Sequence, residues 1–387
     1  MDIAIFGLGF RANRLVRLLE TYKKEVSIEF FLDNYKTDIH KGYETKQATR
    51  SNCLNHKIVV SPGGDAFKSI KKQLEAYGMT EGTDFWSYEN FIFDVLQKIR
   101  RENKPFVRVS FLDFWDGFKD SYNEIFWRER LLDAFDYVID DLHPQMVISS
   151  VFGQEAIKKK ECIHVLFSGE NTRPDYENYE YNIGFCCGED KERYLRWPLY
   201  YMYEGHWLRA IKKHENVSMD SFLNRGFCSR VVSNGSFETR EEIFLKLDSK
   251  SSGVASGGRS GNNIGYLVED KNDFISKYRF NLAIENSVSD GYVTEKILQA
   301  FSAGCIPIYY GSPTIYDDFN KGSFVNIADF SSIDDAVDYI ITLDKDEDEL
   351  CKYLKTPILH GGNTGEERYC ELENFLEKCA HEASNCL

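Results

Sequence analysis

The chain has 387 residues, of which 42% are hydrophobic and 14% aromatic, so it can bury more than one core and form two or three domains. Its formal net charge of −15 argues against binding to nucleic acid or to anionic lipid, because both need clustered Lys and Arg side chains. No stretch reaches the roughly 20 apolar residues of a membrane span, so we expect no transmembrane segment. The first ten residues have the pattern of a β-strand and a glycine turn, not that of a signal peptide, so we expect a cytoplasmic protein.

The first hundred residues alternate between strand and helix patterns. The predicted elements, in chain order, are strand Asp2–Phe6, helix Ala12–Tyr22, strand Val26–Leu32, strand Lys57–Ser61 and helix Ala66–Tyr77. Gly7 and Gly9 follow the first strand and Asp33 ends the second, a spacing typical of dinucleotide-binding turns. We therefore predict a small Rossmann-like accessory domain over residues 1–104, with a candidate nucleotide site at these three residues.

A charged segment ending at Pro105 separates this domain from a second alternation. Its predicted elements are strand Phe106–Phe111, helix Asn123–Asp141, strands Met146–Val151 and Ile163–Phe167, strand Phe227–Val232, helix Glu238–Leu247, strand Phe280–Ile284, helix Val293–Ala303, strand Cys305–Tyr310 and helix Ile333–Thr342. The polar stretch Ser251–Gly265 is predicted to be a loop whose glycines allow close approach to a ligand. Because a new strand begins at Phe106, we expect the remaining chain to fold without residues 1–104.

The segment around residues 280–313 carries the strongest chemical signal. A buried strand ends in Glu-Asn-Ser at residues 285–287, and Thr294 then starts a helix with Glu295 and Lys296 in its first turn. A helix N-terminus presents free N–H groups and a positive dipole end, which suits a diphosphate. Lys296 adds a cation, and the Glu295 carboxylate can accept hydrogen bonds from ribose hydroxyls. The alternative is a helix that only packs on the core.

Over about 34 residues, this segment resembles the signature of the α1,3/4-fucosyltransferases, glycosyltransferase family 10. The resemblance extends from residue 106 to about 345, and its other parts are Val165–Asn171, Arg193–Tyr200, Phe227–Arg240 and the Gly-rich loop at 257–266. It implies an α/β fold of the GT-B type, with two Rossmann-like lobes, preceded here by the extra Rossmann-like domain. The chain departs from the family in that domain, in Ile284 where Phe is common, and in having no C-terminal heptad array.

The resemblance also implies how the chain is divided and what it does. The acceptor-binding lobe would cover residues 105–212, the GDP-fucose-binding lobe 213–345, and C-terminal helices at 346–387 would pack on the acceptor lobe. The implied reaction is inverting transfer of L-fucose from GDP-fucose to O3 or O4 of a GlcNAc in a glycan such as N-acetyllactosamine. Glu170 would be the general base and Trp115 an acceptor-binding residue. The implied donor-binding residues are Arg240, Asn286, Tyr292, Glu295 and Lys296.

Reaction chemistry supports this assignment from the residues themselves. Glu170 follows an apolar strand in a glycine-flanked turn, where partial burial would raise its pKa toward that of a useful base. A diphosphate leaving group needs charge stabilisation more than a proton, and Arg240 and Lys296 can supply it. The run Asp344–Asp348 has the spacing of a D-x-D metal site but lies among charged helix-forming residues. We therefore predict no obligatory metal or other cofactor.

Two other functions remain open from the sequence. An NAD-linked oxidoreductase or epimerase centred on residues 1–100 would use the glycine turn, but no Tyr-x-x-x-Lys pair lies nearby. A non-catalytic glycan-binding protein on a transferase scaffold would require a defective donor site, whereas every implied donor residue is present. For Glu170, the alternative is a solvated loop carboxylate.

Overall fold

The structure is a computed structural model that describes residues 1–119, 121–212, 218–233, 235–359 and 365–385. It contains two compact units, each described by itself. Unit 1 comprises Met1–Ile148, Gln154–His164 and Glu371–Leu387, and unit 2 comprises Ser149–Gly153 and Val165–Cys370. Helices and parallel strands alternate in both, which confirms the predicted α/β class. Within the described ranges, no helix is long and apolar enough to cross a membrane.

The N-terminal hundred residues form a six-stranded sheet with helices. The elements are β1 (Asp2–Phe6), α1 (Phe10–Glu20), β2 (Ser27–Asp33), β3 (Ile39–His40), β4 (Tyr43–Gln47), α2 (Arg50–Cys53), β5 (Lys57–Val60), α3 (Gly64–Ala76), β6 (Phe85–Ser87) and α4 (Tyr88–Asn90). The strand order is β3-β4-β2-β1-β5-β6, and only the β3–β4 pair is antiparallel. All five predicted elements of this region are confirmed. The additional strands are short and lack a long apolar run.

The predicted helix Asn123–Asp141 is wrong in its C-terminal part. The next elements are β7 (Phe106–Leu112), α5 (Tyr122–Ala134), β8 (Asp136–Ile139) and β9 (Met146–Ser149). Phe135 is extended, with φ −157°, and ends α5. From there β8 pairs in parallel with β7, beginning with Asp136 opposite Phe106. Strand pairing therefore overrides the helical spacing at these positions.

Buried ion pairs in unit 1 join the N-terminal module to the residues after it. Arg14 on α1 contacts Asp133 and lies 3.5 Å from the Glu129 carboxylate, both on α5. Arg101 donates to Asp136 at 2.7 Å. Removing residues 1–104 would leave buried carboxylates without these cations, which is costly. The expectation that the remaining chain folds alone is therefore withdrawn, while the four-part division stays a prediction.

Unit 2 carries two ladders of parallel strands. Its elements are β10 (Ile163–Phe167), β11 (Tyr181–Gly184), β12 (Tyr194–Arg196), α6 (Glu204–Ile211), α7 (Met219–Leu223), β13 (Gly226–Arg230), α8 (Glu238–Lys250), β14 (Val254–Ser256), α9 (Lys271–Ser276), β15 (Tyr278–Ile284), α10 (Glu295–Ser302), β16 (Ile306–Tyr310), β17 (Val325–Asn326), α11 (Ile333–Leu343) and α12 (Glu347–Lys355). One ladder joins β10, β11 and β12, and the other has the order β14-β13-β15-β16-β17. The predicted loop Ser251–Gly265 thus contains a strand, β14. The carboxyl ends of β13 and β15 lead into the loops where open α/β sheets bind ligands.

A long C-terminal helix, α13 (Glu366–Ala383), follows. From Glu371 onward its residues belong to unit 1. There Glu373 accepts a hydrogen bond from Arg130 at 3.2 Å, and Glu377 accepts one from Lys104 at 2.9 Å. The helix is therefore tied to α5 and to the segment before β7 by charged contacts.

Candidate active site

The buried carboxylate of Glu285 organises the connection from β15 to α10. Its Oε1 accepts the backbone N–H of Thr294 at 2.7 Å. Its Oε2 accepts the Thr294 hydroxyl at 2.7 Å and the Lys296 ammonium at 2.9 Å. Glu285 therefore caps the start of α10, and the Thr294 side chain makes no capping bond of its own. The sequence interpretation gave Glu285 no role, although it lies within the signature segment.

The charges in the first turn of α10 support one another. Burial alone would lower the pKa of Lys296, but the carboxylates of Glu285 and Glu295 outweigh it and raise that pKa. Burial alone would raise the pKa of Glu295, but the ammonium groups of Lys296 and Lys271 are among the effects that lower it. Both side chains are therefore charged at neutral pH, as a site for phosphate and hydroxyl groups requires.

A cavity of about 250 Å³ opens beside the N-terminus of α10. Four of the five predicted donor-binding residues line it: Arg240, Asn286, Glu295 and Lys296. Leu282 and Ile284 from β15 add an apolar part to its wall. Lys271, the first residue of α9, lies in the same wall, and the sequence interpretation missed it.

Arg240 occupies the first turns of α8, and its side chain is buried. The next residue, Glu241, accepts two hydrogen bonds from the buried Arg230 guanidinium, at 3.1 and 3.0 Å. The Arg230 guanidinium also lies 3.4 Å from the centroid of the Phe244 ring. These contacts fix α8 against the end of β13. Loss of water lowers the pKa of Arg240, but a guanidinium remains charged in proteins.

Tyr292, the fifth predicted donor residue, holds Asn286 in place. Its hydroxyl donates to Asn286 Oδ1 at 2.9 Å, and its ring meets the Phe185 ring edge-on at 5.0 Å between centroids. Gly291 before it has φ +77°, and a Cβ there would lie 2.2 Å from the Phe185 carbonyl oxygen. Only glycine fits this turn, which explains the Gly-Tyr pair in the signature segment.

Glu170 reaches the same side chains from the loop after β10. The Asn286 side chain is near enough to the Glu170 carboxyl group to favour its charged form, and the adjacent Asn171 donates to the Ser287 hydroxyl at 3.0 Å. Glu170 is exposed to solvent. Partial loss of water nevertheless raises its pKa, helped by the Glu295 carboxylate and opposed by the Lys296 ammonium. A carboxylate with a raised pKa is better suited to accept a proton.

The Gly-rich loop before α9 packs on the protein itself. A Cβ at Gly258 would lie 2.0 Å from the carbonyl oxygen of Val232, and at Gly257 it would lie 2.3 Å from Val268. Ser260 donates its backbone N–H to the Val232 carbonyl at 3.0 Å. These glycines therefore allow close contact with neighbouring parts of the chain. The sequence had predicted close contact with a ligand.

The glycine turn of the N-terminal module has local contacts. Gly7 has φ +100°, and a Cβ there would lie 2.8 Å from the Pro62 ring, while Gly9 precedes α1 as its N-cap residue. The Asp33 Oδ1 atom accepts the backbone N–H groups of Tyr35 and Lys36 at 2.8 and 3.0 Å. A nucleotide site at Gly7, Gly9 and Asp33 stays a prediction.

Trp115 lies in unit 1 and is half-buried. Its ring contacts those of Phe114 and Phe118, with centroids 5.6 and 5.4 Å away. These neighbours fix the orientation of the indole on its own loop. Its role in acceptor binding stays a prediction.

The acidic run after α11 has structural roles. The carboxylate of Asp344 accepts two hydrogen bonds from Arg279, at 2.7 and 2.9 Å. Asp346 caps α12 by accepting the backbone N–H of Glu349 at 3.1 Å. Over the described part of the chain, no group of three or more His, Cys, Asp or Glu side chains could hold a metal ion. Independence from a metal stays a prediction, to be tested with a chelator.

Two family models match this chain. The model of the α-(1,3)-fucosyltransferase FucT N-terminal domain matches residues 109–203, and the model of the glycosyltransferase family 10 (fucosyltransferase) C-terminal part matches residues 224–358. The α-(1,3)-fucosyltransferase FucT of Helicobacter pylori is 32% identical over 283 residues. That alignment covers 63% of this chain, which spans 59% of the H. pylori enzyme's length.

Crystal structures of an α1,3-fucosyltransferase are similar to this chain. One is 27% identical with a TM-score of 0.62, over 73% of this chain and 92% of the other. A second, with GDP-fucose, is 26% identical with a TM-score of 0.58, over 75% of this chain and 96% of the other. These similarities confirm the fold class expected from the family resemblance.

Proposed function

This chain belongs to glycosyltransferase family 10, the fucosyltransferases, and we propose that it transfers L-fucose from GDP-fucose to a hydroxyl of a GlcNAc-containing glycan. The nucleotide sugar is suggested by the related crystal structure with GDP-fucose. The acceptor position, O3 or O4 of GlcNAc, and a cytoplasmic location are parts of the same proposal.

The observation that carries the proposal is the convergence of a base and a charged donor cavity. Asn286 and Lys296 line the cavity, and both also act electrostatically on the Glu170 carboxyl group, which supports a position of this group next to the proposed sugar. Arg240 and Lys296 line the same cavity and supply positive charge for a diphosphate. An acid–base group beside a phosphate site suits group transfer from a nucleotide sugar.

In the proposed reaction, Glu170 accepts the proton of the acceptor hydroxyl as its oxygen attacks C1 of fucose. The bond from C1 to the β-phosphate oxygen breaks, and GDP leaves with the electron pair. Attack from the face opposite GDP inverts the configuration at C1. Arg240 and Lys296 stabilise the negative charge that grows on the leaving group. Glu295 would hold the ribose hydroxyls, and Asn286 would orient the fucose between the diphosphate and Glu170.

A direct assay tests the reaction. The protein is incubated with GDP-fucose and with N-acetyllactosamine or lacto-N-biose acceptors, and the product linkage and anomeric configuration are determined by NMR. We expect one α-linked fucose on GlcNAc. GDP binding without transfer to any GlcNAc acceptor would contradict the proposal.

A pair of variants tests the proposed base. Glu170→Gln should remove at least nine-tenths of kcat and leave GDP affinity within a few-fold, because the carboxylate acts on the acceptor. The control is Glu177→Gln, an exposed carboxylate in the same loop region, which should keep wild-type kcat. More than a tenth of wild-type kcat in Glu170→Gln would exclude this residue as the base.

A further inference from the structure

Lys271 is a half-buried lysine whose ammonium has no hydrogen-bond or ion-pair partner in the part of the chain that the structure describes. It begins α9, and its side chain lines the cavity beside α10. Across the described ranges, its ammonium makes neither a hydrogen bond nor an ion pair within 4 Å. Burial lowers its pKa, and the more distant carboxylates of Glu295 and Glu285 oppose this only in part.

Partial loss of water around an ammonium without an ion-pair partner lowers the stability of the free protein. Groups whose pKa is shifted in this way are common at functional sites, where a ligand can supply the missing charge. The neighbours of Lys271 indicate where that ligand would lie, because Lys271 lines the same cavity as Arg240 and Lys296.

The charge balance of the cavity points to an anion. Lys296 is paired with the buried Glu285 at 2.9 Å, so its positive charge is partly cancelled within the protein. Glu295 is near both Lys296 and Lys271, and its negative charge acts on both. Arg240, Lys271 and Lys296 give three positive charges against the two negative charges of Glu285 and Glu295, so the group has a net positive charge that it would lack without Lys271. A donor diphosphate therefore gains more from Lys271 than the sequence alone indicates.

A second cavity, of about 310 Å³, lies on the other side of Lys271 and is polar. His206, Glu269 and Asp270 line it, and burial lowers the pKa of His206 to about 4, so its imidazole is neutral at pH 7. Neither carboxylate in this wall forms an ion pair with Lys271 among the described residues. The lysine is thus available to a ligand in the donor cavity.

We propose that Lys271 binds the diphosphate of the donor nucleotide, as a third cation beside Arg240 and Lys296. The inference rests on the proposed function, since it takes the ligand of the cavity to be a nucleoside diphosphate. Lys271 lies outside the segment 280–313 that carries the family signature. With Lys271, three cations would contact the diphosphate, where the sequence predicted only Arg240 and Lys296.

Binding of GDP and of guanosine to the wild type and to Lys271→Met tests the proposal by isothermal titration calorimetry. Loss of a charge-assisted contact should weaken GDP binding about tenfold or more. Guanosine has no phosphate, so its affinity should stay within twofold. Lys271→Arg, which keeps the positive charge, should bind GDP more tightly than Lys271→Met does. The matched control is Lys277→Met at the end of the same helix, where the ammonium is exposed and paired with Asp273.

Thermal unfolding separates this role from a structural one. Because Lys271→Met removes an uncompensated charge, the free variant should unfold at the same or a higher temperature than the wild type, yet gain less stability from GDP. Wild-type GDP affinity in Lys271→Met, or an equal loss of GDP and guanosine binding, would overturn the inference. If the wild type itself does not bind GDP, the proposed function fails with it. A wild type that binds GDP and a variant that binds it equally well contradict only the inference.

Discussion

Replacing Glu285 by Gln tests whether the carboxylate at the end of β15 is the group that builds the donor site. The carboxylate has no solvent exposure and accepts three hydrogen bonds, from the Thr294 backbone, the Thr294 hydroxyl and Lys296. A glutamine of nearly the same shape keeps the packing but leaves the Lys296 ammonium without its counter-charge.

The expected loss of stability follows from these contacts. Breaking a fully buried ion pair costs about 3–5 kcal/mol. The Lys296 side chain is 23% exposed, so water recovers part of this, and we expect a loss of about 2–4 kcal/mol in the free energy of unfolding. Thr294→Val removes two hydroxyl hydrogen bonds, one donated to Glu285 and one accepted from Lys296, and should cost about 1–2 kcal/mol.

Denaturant unfolding of purified variants measures these values. Glu242→Gln is the matched control, because its carboxylate is exposed, pairs with Lys246, and should contribute less than about 0.5 kcal/mol. A double-mutant cycle with Lys296→Met should give a coupling energy above about 1 kcal/mol between positions 285 and 296. If the free energy of unfolding of Glu285→Gln lies within about 0.5 kcal/mol of the wild-type value, as expected for the control, the role assigned to this carboxylate is refuted.

Three further predictions use pH and chelation. The value of kcat/KM should fall as pH drops through the raised pKa of Glu170. Glu295→Gln removes a nearby negative charge and should therefore move this fall in kcat/KM to lower pH. A fall at the same or a higher pH in this variant would contradict the prediction. Fucose transfer should continue in the presence of EDTA, because Arg240 and Lys296 are proposed to stabilise the leaving group without a metal ion. A loss of turnover that Mn²⁺ restores would contradict this. Burial and the Asp133 carboxylate raise the pKa of Glu373 to about 7, above its ordinary 4.5. Stability should therefore fall as pH rises through this window, and thermal scans at pH 5 and 8 should show a smaller difference for Glu373→Gln than for the wild type.

Much of the fold could be predicted because local pattern and tertiary structure agree. The apolar run at the start of the chain is a buried strand, and the segment from Glu295 has helical spacing and is a helix. The pattern failed at Asp136–Ile139, where helical spacing continues but pairing with β7 decides the outcome. It also failed at Val254–Ser256, a strand of three residues inside a polar loop, which sequence periodicity alone does not reveal.

The candidate site could be predicted where residues lie within a recognisable segment. Asn286 and Lys296 were found in this way, and both line the cavity. Glu285 is part of the same segment, but an acidic residue at a strand end gives no sign in sequence that it will be fully buried. Lys271 follows Glu269 and Asp270, so in sequence it belongs to what reads as a solvated charged turn. Only the fold shows that Lys271 lines the cavity and that its acidic neighbours do not pair with it.

The Lys296–Glu285 ion pair affects how Lys296 would act on the diphosphate of the donor. A free lysine would attract the bound diphosphate strongly before the reaction, which favours binding more than catalysis. Lys296 is held at 2.9 Å from a buried carboxylate, so its charge is partly cancelled in the ground state and its position is fixed. As the C1–oxygen bond breaks, the growing negative charge on GDP competes better with Glu285 for this ammonium. In the proposed reaction, Lys296 therefore contributes mainly to the transition state, while Lys271 and Arg240 provide most of the ground-state attraction for the donor.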